Sequence, residues 1–213
     1  MLLEKYQYIV VEGPIGVGKT SLAQRIAEHI GADMLLEKPL ENPFLERFYQ
    51  DPKRNALPTQ LFFLFQRINE IRDQAQMDLF RTRTVSDYLF DKDALFARLN
   101  LSDDEYKLYQ NIYQSMAPQA PIPDLVIYLQ ASTDTLIERV RRRGRDFERA
   151  VTDDYLNRLG NSYGEFFHHY EDAPLMMVNS DNLNFVDNDA DFQLLLERIE
   201  GMRGPREFFS LGV

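Results

Sequence analysis

The chain has 213 residues, and its 24 basic against 34 acidic side chains leave a formal charge of −10. That length fits one domain, residues 1–213, and the acidic balance argues against a binder of duplex nucleic acid. The absence of cysteine excludes thiol nucleophiles, cysteine-held zinc and iron–sulfur clusters. A hydrophobic content of 44% describes an ordinary globule. No apolar run approaches the roughly 20 residues of a membrane span, and no leader pattern opens the chain, so a cytoplasmic protein is expected.

Short apolar runs alternate with helical patterns along the chain. Tyr8-Ile9-Val10-Val11, closed by Glu12-Gly13-Pro14, predicts a buried strand ending in a turn. Ser21 to Ile30 has helical spacing, with Leu22, Ile26 and Ile30 on one face, and stops at Gly31. A second strand is expected over Asp33 to Glu37, a long buried helix over Thr59 to Met77, and a third strand over Thr82 to Asp87. Ser102 followed by Glu105 reads as a capping box opening a helix through Met116. Asp124 to Gln130 is the clearest buried strand, and a basic helix follows it. A helix over Asp153 to Tyr170, a strand over Leu175 to Asn179 and a helix over Asp191 to Met202 complete the pattern. The tail Gly204-Pro205-Arg206-Glu207-Phe208-Phe209 reads as a packed or frayed end. This alternation predicts an α/β fold in three layers, with about five parallel strands covered on both faces. Ligands in such sheets bind beyond the carboxyl ends of the strands, which singles out Glu12, Glu37 and Asp87.

Gly13-Pro14-Ile15-Gly16-Val17-Gly18-Lys19-Thr20 fits G-x-x-x-x-G-K-[ST] and lies between a predicted strand and a predicted helix. The glycines let successive backbone N–H groups turn inward onto phosphate oxygens, and the helix N-terminus adds its dipole. Lys19 can reach the outer phosphates and the Thr20 hydroxyl can ligate Mg²⁺, so a nucleoside triphosphate is the expected ligand. The D-x-x-G and N-K-x-D motifs of a GTPase do not occur. Further along, Arg139 and Arg143 fall four apart on the basic helix, Gly144 ends it, and Arg145 follows. Guanidiniums gathered at a helix end suit a lid, about 139–150, that neutralises charge on a transferring phosphate; a solvated basic face is the plainer reading.

Gly13 to Ser21, Glu37-Lys38-Pro39, Tyr49 with Pro52, Gln60 and Arg143-Gly144-Arg145 together resemble the deoxyribonucleoside kinases. Glu41-Asn42-Pro43-Phe44 and Ser86-Asp87-Tyr88-Leu89-Phe90 are most similar to the bacterial deoxyadenosine/deoxyguanosine branch. The resemblance implies transfer of the γ-phosphate of ATP, with Mg²⁺, to the 5′-hydroxyl of a deoxynucleoside, and a homodimer. It places the donor on residues 13–21. It makes Glu37 the carboxylate that takes the hydroxyl proton, Lys19, Arg139, Arg143 and Arg145 the charge-stabilising cations, and Thr20 and Asp87 the metal ligands. Gln60 and Arg67 would read the base, Tyr49 and Glu148 the sugar 3′-hydroxyl, and Asp91 or Asp93 would add a further carboxylate.

Taken without the resemblance, Gln60 also fits a buried amide satisfied by backbone, and Arg67 an ion pair with Glu70 or Asp73. Phe44, Phe62, Phe63 and Phe65 are candidates to stack on a base. Many members of the family carry arginine directly after the acid of the third strand, whereas this chain has Tyr88; Lys92 or the lid arginines are the candidates to supply that charge. Two other functions fit the motifs. One is a monophosphate kinase using Arg47, Arg54, Arg67, Arg72, Arg81 or Arg83 for the acceptor phosphate. The other is an ATP-binding sensor that phosphorylates nothing.

Overall fold

In a computed structural model, described for residues 3, 5–77, 82–116 and 120–211, the chain forms a sheet of six parallel strands with helices on both faces. The strands are β1 (Tyr8–Glu12), β2 (Asp33–Leu35), β3 (Thr84–Ser86), β4 (Leu125–Gln130), β5 (Leu175–Asn179) and β6 (Arg206–Phe209). Their spatial order is β2-β3-β1-β4-β5-β6. The helices are α1 (Lys19–Ile30), α2 (Leu45–Gln50), α3 (Pro52–Met77), α4 (Lys92–Asn100), α5 (Asp103–Met116), α6 (Thr133–Arg143), α7 (Asp153–His169) and α8 (Asp189–Glu200). No helix among the described residues is long and apolar enough to cross a membrane.

Alternation along each strand splits the interior into two cores. Ile9 and Val11 of β1 and Leu125, Ile127 and Leu129 of β4 face α1 and α8, where Leu22, Ile26, Leu195 and Ile199 meet them. Val10 of β1 and Val126 and Tyr128 of β4 face the opposite layer, built from α3, α4, α5 and α7. That second layer carries the aromatic packing: the Tyr128 and Phe167 rings stack with centroids 4.1 Å apart.

The expected layers and parallel sheet are present; β2 and β3 end at Leu35 and Ser86, short of the expected Glu37 and Asp87, and three larger differences follow. The sheet has six strands rather than about five, because the tail read as an end pairs in parallel with β5, Leu175 opposite Arg206 through Val178 opposite Phe209. An edge strand needs only one buried face, and here Phe209 is buried while Phe208 stands exposed, so no apolar run marks it. The long helix starts at Pro52 rather than Thr59: proline is tolerated at a first position, and Pro58 interrupts the ladder inside the helix. The short helices α2 and α4 were not expected, since charged residues interrupt their apolar spacing. Phe209→Ala should therefore cost about 3–5 kcal/mol in urea unfolding, whereas a frayed tail would lose nothing measurable.

Candidate active site

With all strands parallel, their carboxyl ends share one rim, and β1 lies where the strand order reverses between β3 and β4. The loop at residues 13–20 opens at that point and runs into α1. Its path requires glycine. Gly13 has φ +151°, and a Cβ there would stand 2.4 Å from the Leu129 carbonyl oxygen. Gly16 has φ +88°, and its Cβ would lie 2.7 Å from the Val140 side chain on α6. Lys19 Nζ donates to the carbonyls of Gly13 (2.7 Å) and Pro14 (3.2 Å). Burial pushes its ammonium down from the usual lysine range, with Glu12, Glu37 and Asp87 opposing the shift.

Two further strand ends meet the loop. The Thr20 hydroxyl donates to Asp87 Oδ2 at 2.6 Å, and Asp87 Oδ1 accepts the Glu37 backbone N–H at 2.7 Å. A hydroxyl and a carboxylate beside a phosphate loop are the hard oxygen donors that Mg²⁺ takes when phosphates and water supply the rest. No group of three or more metal-ligating side chains occurs among the described residues.

Beside this corner opens a cavity of about 480 Å³, lined by Lys19 and Thr20, by Glu37 and Tyr49, by Gln60, Phe63 and Arg67, and by Asp87, Lys92 and the lid residues Arg143, Arg145 and Glu148. That volume lies in the range of small-molecule sites. Glu37 lies two residues beyond β2, and its carboxylate accepts from Arg67 and from Lys92 Nζ (3.2 Å). Burial alone would raise its carboxyl, but Lys92 and Arg67 outweigh burial and hold it at about 2. Arg67 also pairs with the fully buried carboxylate of Asp93, which accepts the Tyr109 hydroxyl at 2.9 Å. Glu70 is instead bound by the Tyr88 hydroxyl at 2.8 Å. Gln60 is buried on the cavity wall, and its side-chain amide meets no hydrogen-bond partner among the described residues. Burial, then Tyr155 and Glu148, push the Tyr49 phenol well above its ordinary range, so it stays a hydrogen-bond donor.

The structure brings together most of the residues picked from the sequence, and sorts the rest. Of the two aspartates left open, Asp93 is the one beside Arg67; Asp91 lines a separate cavity with Asp172. Arg143 pairs with buried Glu148, and Arg145 lies 4.0 Å from the same carboxylate. Arg139, by contrast, turns away from the cavity and donates to the Ser180 and Val17 carbonyls, at 2.7 and 3.3 Å. Phe63 lines the cavity, joined by Phe48 and Phe96, while Phe44, Phe62 and Phe65 do not. Arg47, Arg54 and Arg72 are exposed, Arg83 bonds the Ile30 carbonyl, and Arg81 lies outside the described residues. Sequence reasoning placed Glu12 at a strand end but missed its buried partners, Lys92 and Tyr163. A lysine between two aspartates carries no sign that it will be buried.

Residues 9–202 match the deoxynucleoside kinase family model. A deoxyadenosine kinase of Lactobacillus acidophilus is 35% identical over 92% of this chain and 97% of its own length. A deoxyguanosine kinase of Bacillus subtilis is 32% identical, over 91% and 96% of the two chains. The solved structure of deoxyadenosine kinase from M. mycoides with bound dATP superposes with a TM-score of 0.78 at 25% identity, covering 91% of this chain and 100% of that one.

Two stability measurements check the charge arrangement. Asp93→Ala strands Arg67 in the interior and should cost about 3–5 kcal/mol in urea unfolding, against about 1 kcal/mol for Tyr109→Phe. Glu37 is depressed from 4.5 to about 2, so the stability it contributes is complete above 4.5 and is lost as pH falls toward 2. Glu37→Gln should flatten that part of the acid unfolding curve.

Proposed function

The chain belongs to the deoxynucleoside kinase family, and we propose that it transfers the γ-phosphoryl group of ATP to the 5′-hydroxyl of a purine deoxynucleoside, deoxyadenosine or deoxyguanosine. The observation that carries this reading is the hydrogen-bonded corner Thr20–Asp87–Glu37, which sets a carboxylate at the junction of the phosphate loop and a ligand-sized cavity. The relatives named for deoxyadenosine and deoxyguanosine support the purine assignment.

The residues divide the work as follows. Backbone N–H groups within residues 15–21 and Lys19 hold the donor phosphates, the Gly13 N–H being taken by Glu12. Thr20 and Asp87 would hold Mg²⁺, which spreads the charge of the triphosphate. In the cavity, the Gln60 amide offers a donor and an acceptor side by side to a base edge, and Arg67, pinned by Asp93, fixes the wall beside it. Tyr49 and Glu148 sit together where the sugar 3′-hydroxyl would lie. Glu37 orients the 5′-oxygen in line and receives its proton. A carboxyl held at about 2 is a weak base, which is sufficient because a loose phosphoryl transition state gives up that proton late. Arg143 and Arg145, at the end of α6, supply positive charge over the transferring group. Arg139 acts through the loop it braces rather than on the phosphate. The same reading expects a homodimer in the cytoplasm.

The monophosphate alternative needs free arginines in the cavity. Among the described residues Arg67 is the one of its candidates there, and it is already committed to two carboxylates. The test is ADP release from Mg-ATP with each of the four deoxynucleosides, their ribonucleoside counterparts and the monophosphates. Turnover with deoxyadenosine or deoxyguanosine is expected; turnover confined to pyrimidines, or to monophosphates, would overturn the acceptor assignment. Glu37→Gln should retain ATP binding and lose at least about tenfold in kcat, roughly 1.4 kcal/mol of barrier.

A further inference from the structure

Residue 88 follows the acid of β3 and is neutral here. The Tyr88 hydroxyl is engaged by Glu70, while its ring lies 5.8 Å from both the Arg67 guanidinium and the Lys92 ammonium. Lys92, four residues on, opens α4 and is 2% exposed. A cation at a helix N-terminus is opposed by the helix dipole, and a buried ammonium is costly unless it is paired. Both penalties are offset by two carboxylates: Nζ lies 3.1 Å from Glu37 Oε1, 3.2 Å from its Oε2, and 3.5 Å from Glu12 Oε2.

Glu12 gives that ammonium a rigid seat. Its Oε1 accepts from the Gly13 N–H (2.8 Å) and the Tyr163 hydroxyl (3.0 Å), and its Oε2 from the Leu89 N–H (2.8 Å). The phosphate loop, α7 and the segment after β3 therefore all fix Glu12, and through it Lys92. Of the cations in the cavity, Arg67 shares its charge between Glu37 and Asp93, and Arg143 is held by Glu148.

We propose that Lys92 is the positioning cation of the acceptor site. Anchored on Glu12, it holds the Glu37 carboxylate against the 5′-hydroxyl and supplies positive charge beside it. An ammonium has three N–H donors on a flexible stem; with two carboxylates engaged, the third is available to an oxygen of the acceptor, since Lys92 lines the cavity. The proposal rests on Glu37 being the group that receives the hydroxyl proton.

The test compares kcat and KM, for Mg-ATP and for the acceptor, at one near-neutral pH in the parent enzyme, Lys92→Met, Lys92→Arg and Glu37→Gln, with folding checked by circular dichroism and thermal unfolding. Lys92→Met should lose at least about tenfold in kcat while KM for Mg-ATP stays within about twofold. Lys92→Arg, which keeps a cation there, should recover kcat to within about threefold of the parent. A folded Lys92→Met enzyme with unchanged kcat overturns the proposal. If Lys92→Met does not fold, Lys92→Arg decides, and a folded Lys92→Arg enzyme that loses about tenfold or more in kcat overturns it. The Glu37 reading fails separately: undiminished kcat in Glu37→Gln removes it, whereas loss there with an unaffected Lys92→Met removes the role of Lys92 alone.

Discussion

The site depends on one buried run of alternating charges, Glu12–Lys92–Glu37–Arg67–Asp93. Its members come from the end of β1, the start of α4, the segment after β2, the middle of α3 and α4 again. No two neighbours in the run belong to the same element. Each charge is tolerable in the interior only because the next one is in place, so removing any member strands its partner at a cost of several kcal/mol. The run therefore ties the sheet to the helical layer that forms the cavity wall. It also explains why the cavity's shape and its electrostatics come from the same residues.

The phosphate loop constrains the other wall in the same physical way. Gly16 leaves no room between the loop and α6, and the Val140 side chain fills the position its Cβ would occupy. Arg139 then spans from α6 to the Val17 and Ser180 carbonyls, joining the lid helix to the loop and to the end of β5. Arg143, one turn later, reaches the cavity and Glu148. Two arginines that share a helix face in sequence spacing thus differ in what they touch, because the first is absorbed by backbone carbonyls before it reaches the ligand space.

Much of this was legible in the sequence, and what was not has physical reasons. β1, β4 and β5 are short apolar runs buried on both faces, and composition alone marks them. The phosphate loop announces itself through glycines that its backbone path requires. The segments missed are those whose burial is one-sided or polar. β6 is only four residues, Arg206-Glu207-Phe208-Phe209, at a sheet edge with one buried side chain, and α4 begins with the buried pair Lys92 and Asp93. A buried ion pair looks the same as a solvated one until the partner's position is known. Asp91 and Asp93 were indistinguishable for that reason, although α4 sends one to Arg67 and the loop before it leaves the other near Asp172.

Tyr88 gains a different meaning from its surroundings. On sequence alone it reads as a missing charge. In the fold, the carboxylates Glu12, Glu37 and Asp93 are faced by two cations in direct contact with them, Lys92 and Arg67. A guanidinium at residue 88, whose ring now lies within 5.8 Å of both, would crowd a third cation against the same pair. A neutral phenol avoids that repulsion, donates to Glu70, and leaves Glu37 to Lys92. Tyr88 and Lys92 are thus parts of one arrangement, in which the cation enters from α4 instead of from the end of β3.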